Sequence, residues 1–80
     1  MKTQEAVVKR LRELCAEQNL SMNGLAYAAA LPPSTVKNIF YGVSRNPGVV
    51  TLKILCDGLG ITLQDFFDAD IFRQLEQEIE

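Results

Sequence analysis

Residues that end helices recur at short intervals along this 80-residue chain, so no helix can exceed about five turns. Asn19, Pro32-Pro33, Asn46-Pro47-Gly48 and the pair Gly58 and Gly60 are the breakpoints. Between them no run alternates apolar and polar residues with the period of two that a half-buried strand needs. The apolar residues follow helical spacing instead. Val7, Leu11 and Leu14 share one face of a helix over about 3–18, ended by Asn19. Ser21 is placed to cap a second helix over 22–29, with Leu25 and Ala26 inward. Its low-bulk run, Ala26-Tyr27-Ala28-Ala29-Ala30, lets another helix come close. Pro33 suits the first position of a third helix, about 33–41, with Val36, Ile39 and Phe40 apolar and Gly42 after its end. Residues 43–48 form a loop. Thr51, Leu52, Leu55 and Leu59 space a fourth helix, about 49–58, closed by Gly58 and Gly60. Thr62 caps a short fifth, 63–67, whose Phe66 and Phe67 bring core bulk. Asp70 is placed to cap a last helix with a stripe of Ile71, Phe72, Leu75 and Ile79.

Elements this short do not make an up-down bundle, and the pattern predicts an all-α, compact orthogonal bundle. Residues 1–68 form the main domain. Residues 69–80 form an acidic amphipathic C-terminal helix, which either folds back on the core or pairs with a second copy, since its stripe is too apolar to leave in water.

Composition removes several function classes. The chain is 48% apolar and 22% charged, as globular proteins are. No apolar run approaches a membrane span, and the N-terminus lacks the apolar stretch of a signal peptide. A cytoplasmic protein without membrane partners is expected. There is no His, which removes the commonest general base and most zinc sites. Ser21, Ser34 and Ser44 therefore have no base, and no phosphate-cradling loop or metal box is present, so an enzyme, a cofactor, a metal or a small-molecule substrate is not expected. Cys15 and Cys56 read as small apolar core residues in a reducing compartment; a disulfide would require their two helices to touch.

Charge is segregated. Residues 1–17 carry a net +1, residues 18–56 carry Lys37, Arg45 and Lys53 with no acid, and residues 57–80 carry −6. A surface selected only for solubility mixes signs. Here a polyanion meets no carboxylate from the middle of the chain.

Helices two and three, joined by Ala30-Leu31-Pro32, satisfy the demands of a helix-turn-helix unit. Ala26 or Ala29 allows close approach. Val36 and Ile39 anchor the third helix, leaving Pro33, Ser34, Lys37 and Asn38 outward on a rod narrow enough for a major groove.

At these residues the chain resembles the lambda-repressor-like (Cro/CI, XRE) helix-turn-helix family, without gaps from about residue 7 to 67. The resemblance rests on Val7, Arg10-Leu11-Arg12-Glu13-Leu14, Leu20-Ser21, Leu25-Ala26, Ser34-Thr35-Val36, Ile39, Gly42, Arg45-Asn46-Pro47, Thr51-Leu52, Leu55 and the run Leu59 to Phe67. It implies a five-helix DNA-binding domain, here with an extra short C-terminal helix, whose third helix reads bases through Pro33, Ser34, Lys37 and Asn38. It implies phosphate contacts from Thr35, Tyr41, Ser44, Arg45 and Asn46, and from the amino end of helix two at Met22 and Asn23. Tyr27 and Tyr41 fit either half-buried packing or phosphate donation, and Arg12 reads as surface.

The chain departs from the family's usual residues at four places. Met22 stands where Gln is usual, Ala30 where Gly is usual and Pro33 where a charge is common. Phe40 replaces a Glu that would pair with Arg10. The function implied is a small transcriptional regulator, a repressor, bound to a palindromic double-stranded operator as a homodimer through Ile71, Phe72, Leu75 and Ile79. The alternative is a protein-interaction module of the same fold, antitoxin-like or a scaffold, with weak DNA binding.

Overall fold

A computed structural model describes all 80 residues. Five α-helices follow one another: α1 (Thr3–Glu17), α2 (Met22–Ala29), α3 (Pro33–Phe40), α4 (Val49–Leu59) and α5 (Leu63–Phe67). A five-residue 3-10 helix, Asp70–Gln74, ends the regular structure, and there is no strand. No helix is long and apolar enough to cross a membrane.

Local chemistry sets the helix starts. The Ser21 hydroxyl accepts from the Gly24 amide at 3.0 Å. Thr62 and Asp65 form a reciprocal capping box at α5, with bonds of 3.0 and 3.1 Å. The Thr62 amide, and after it the Thr62 hydroxyl, hold the Asp65 carboxyl below the usual carboxylate range. Pro33 occupies the first turn of α3, where its missing N–H costs nothing.

Three helices end alike. Asn19, Ala30 and Gly60 adopt left-handed backbone angles, with φ of 60°, 54° and 72°. The amide of the next residue then reaches back five residues: Leu20 to the Cys15 carbonyl (2.8 Å), Leu31 to Ala26 (3.0 Å) and Ile61 to Cys56 (3.0 Å). Leu20, Leu31 and Ile61 each pack on the core, the hydrophobic contact that accompanies this type of helix end. Asn and Gly accept the left-handed conformation readily; Ala30 does not. Ala30→Gly is therefore expected to stabilise the protein by about 1 kcal/mol, a rise of about 4–8 °C in melting temperature for a domain this size. A calorimetric scan showing no rise would mean that Ala30 is unstrained.

Sixteen residues are buried, all apolar, and fifteen of them form one cluster. At its centre lie Leu11, Leu25, Val36, Ile39, Leu55, Cys56 and Phe66. The smallest side chains mark the tightest crossing. A Cβ at Gly58 would stand 2.9 Å from the Ala29 backbone nitrogen and 3.1 Å from its Cα and Cβ. Gly58 thus lies inside α4 as a packing residue against α2, while Gly60 alone terminates the helix. Cys15 and Cys56 are buried and free, and burial raises both thiols above their ordinary range.

The C-terminal segment departs from the sequence pattern. The stripe Ile71, Phe72, Leu75 and Ile79 does not form on an α-helix, and Ala69, not Asp70, stands at the cap position. Phe72 packs on Phe66 and Phe67, with ring centroids 5.8 and 4.9 Å away. Leu75 is extended, and the Glu76 amide bonds the Met1 carbonyl at 3.0 Å instead of a carbonyl four residues earlier. A short isolated helix is marginal in water, so hydrogen bonds to the chain's other end displace it. Ile71, Phe72 and Leu75 are half-buried against the chain's own body, and Ile79 is 77% exposed.

Candidate nucleic-acid interface

The third helix is built with two unlike sides. Val36, Ile39 and Phe40 are buried, while Pro33, Ser34, Lys37 and Asn38 are exposed on the other flank. Neither Lys37 nor Asn38 uses its side chain in a hydrogen bond or ion pair within the protein. Nothing from the tail covers them, since residues 75–80 bond to residues 1–3. The left-handed turn at Ala30 and the extended Pro32 set how α3 leaves α2.

The loop after α3 lies beside this flank. The Ser44 amide bonds the Asn38 carbonyl at 2.9 Å, which folds the loop back toward α3. A shallow cleft of about 230 Å³ results, lined by Thr35, Asn38, Ser44 and Asn46 together with Gly48 and Thr51. Gly48 and Thr51 are not among the expected phosphate contacts, yet both line this cleft. Gly48 caps α4 with no side chain, so the first amides of α4 open at the cleft. A glycine cap ahead of Val49-Val50-Thr51 was the available signal. Arg45 is exposed and has no ion-pair partner, but it lines a different cleft, the one beside Lys2, Pro47 and Glu78.

Asn23 is exposed at the start of α2. The Ser21 cap takes the Gly24 amide and leaves those of Met22 and Asn23 without a partner. The Met22 side chain is half-buried in a small hollow beside Leu20, Cys15 and Phe40 and packs on the core. Tyr27 and Tyr41 are 91% and 65% exposed, which rules out half-buried packing for both.

Two arginines of α1 are tied to the ends of other helices. Arg10 donates to the Phe66 carbonyl (2.8 Å), the Asp65 carbonyl (2.9 Å) and the Glu13 carboxylate (2.6 Å), closing the end of α5. Arg12 donates to the Phe40 carbonyl at 3.2 Å, and its guanidinium lies 5.1 Å from the centre of the Phe40 ring. It is thereby tied to the end of α3. Lys53 is paired with Asp57 on its own helix, so Lys37 and Arg45 are the free cations of the acid-free middle.

The family described as Helix-turn-helix (HTH_3) matches residues 8–66, well over half of the chain. The chain belongs to the helix-turn-helix family, of the Cro/CI/XRE type. This helix-turn-helix chain is also similar to a solved structure, "Crystal structure of the prophage Lp1 protein 11", at 41% sequence identity and a TM-score of 0.79, over 94% of this chain and 100% of that one. No curated protein matches it at the same stringency.

Proposed function

We propose that this protein binds double-stranded DNA as a small transcriptional regulator, with α3 in the major groove. The observation that carries the reading is the exposed flank of Pro33, Ser34, Lys37 and Asn38, free of internal bonds and held on a helix whose opposite side is buried. Asn38 is suited to bidentate bonding with adenine N6 and N7, and Lys37 to guanine O6 or N7. Pro33 and Ser34 contact base edges at the helix start. Thr35, Tyr41, Ser44, Arg45 and Asn46, with the amides of Met22 and Asn23, hold phosphates and set register.

The reading extends to repression, by occlusion of a promoter, and to a homodimer on a palindrome, with two α3 helices about 34 Å apart. In the C-terminal stripe Ile79 is the member most open to a second copy. Light scattering on the whole chain with and without a duplex tests this part; one copy per duplex at saturation rejects it.

Selection of bound sequences from a random pool supplies the operator. On that operator Asn38→Ala is expected to cost about 1–3 kcal/mol and to relax preference at one base pair. Arg45→Ala is expected to weaken binding to all sequences and lower the salt slope by about one. Binding that survives Lys37→Ala, Asn38→Ala and Arg45→Ala unchanged removes α3 from the groove. The second reading, a protein-interaction module with weak DNA binding, draws on the pairing of Lys53 with Asp57, which lowers the charge available to phosphates. It predicts no enriched sequence from the pool.

A further inference from the structure

The acidic tail reaches the edge of the loop that carries Arg45. After Leu75 the chain runs extended along the start of α1. The Glu76 amide bonds the Met1 carbonyl, Lys2 Nζ donates to the Gln77 carbonyl at 2.8 Å, and the Glu78 carboxylate accepts from both the Thr3 amide (3.0 Å) and the Thr3 hydroxyl (2.9 Å). Glu78 thereby supplies a cap that α1 lacks locally, because Lys2 at the cap position makes no side-chain cap bond. These side-chain bonds are all solvent-exposed, and no residue after Leu75 is buried. Such an attachment is weak and reversible.

Its position gives it a consequence. Glu78 lines a cleft of about 550 Å³ that Arg45, Asn46 and Pro47 also line. Glu78 thus stands at the rim of the segment through which the proposed phosphate contacts of Arg45 are made, on a strap that the ion pair of Glu76 with the N-terminal ammonium (3.0 Å) also holds. We propose that residues 75–80 act as an autoinhibitory strap: a duplex backbone laid on the α3–α4 loop is repelled by the strap's carboxylates, and binding and strap attachment compete. The inference rests on the DNA-binding reading above and assigns a regulation to that site. Anything that removes the strap, by cleavage or by a partner that sequesters it, raises affinity for DNA.

The test compares the whole chain with a Glu76→Gln, Glu78→Gln, Glu80→Gln variant. A second variant, Glu17→Gln, Asp68→Asn, Asp70→Asn, has the same net charge but an intact strap. The probe is a fluorescein-labelled mixed-sequence duplex of about 30 bp, followed by anisotropy at about 50 mM and about 300 mM salt. The strap variant is expected to bind about threefold to tenfold tighter at the lower salt, with the gain lost at the higher salt as screening shortens the repulsion. The charge-matched variant is expected to stay within about twofold of the unmodified chain. Hydrogen exchange in the unmodified chain adds a direct readout: duplex is expected to speed exchange at the amides of Thr3 and Glu76, which the strap holds.

Equal affinities for the unmodified and strap-variant chains, with binding still lost on Lys37→Ala, overturn the strap and leave DNA binding standing. Equal gains in both charge variants overturn it too. Binding by neither chain removes the DNA-binding reading, and the strap with it.

Discussion

Gly58→Ala is expected to destabilise the protein by about 1–3 kcal/mol, lowering the melting temperature by about 10 °C. The sign runs against helix propensity, by which Gly to Ala in a helix interior gains about 1 kcal/mol. Packing decides the outcome. The added methyl would meet the Ala29 backbone nitrogen at 2.9 Å, and backbone cannot swing aside as a long side chain can. Helix α2 must then move off α4, and α2 also packs on α3. The functional consequence is a misplaced α3, so affinity for duplex should fall together with stability. Adding Ala29→Gly removes the contact at the Ala29 Cβ and leaves those at its nitrogen and Cα, so rescue should be partial. A calorimetric scan in which Gly58→Ala melts higher than the unmodified chain would show that the two helices part without cost.

Arg10→Ala carries the other large effect, a loss of about 2–3 kcal/mol. The Arg10 side chain is only 12% exposed, and its guanidinium closes two carbonyls at the end of α5. Bonds from a charged donor contribute more than neutral ones, and truncation leaves the Phe66 carbonyl part-buried without its donor. Arg10→Lys should recover less than half, because a point charge on a flexible stem cannot reach both carbonyls and Glu13 at once. Glu13→Gln should cost under about 1 kcal/mol, since Glu13 is more than half exposed. Urea unfolding of the three variants separates the carbonyl bonds from the ion pair. If Glu13→Gln costs as much as Arg10→Ala, the ion pair is the stabilising contact.

Phe40 connects these observations. The buried Phe40 ring lies beneath Arg12, and Arg10 turns to the end of α5. Both arginines end on helix carbonyls, where cations are favoured. The pairing of Lys53 with Asp57 takes one of three cations out of the acid-free stretch and leaves Lys37 and Arg45 unpaired there.

The helices, and the flank that α3 turns outward, were legible in the residues themselves. Caps, breakers and apolar spacing act over four or five positions, and Ser21, Pro33, Thr62 and Gly60 each work on their immediate neighbours. The path of residues 75–80 was not legible, because their bonds go to residues 75 positions away and outcompete a local helix. The same holds for Arg10, whose acceptors lie 55 and 56 positions along, and for Gly58, which reads as a helix stop until α2 is seen pressed against it. Short-range chemistry decides where helices begin and end. Which groups meet across the chain depends on how those helices stack, and no local pattern encodes that.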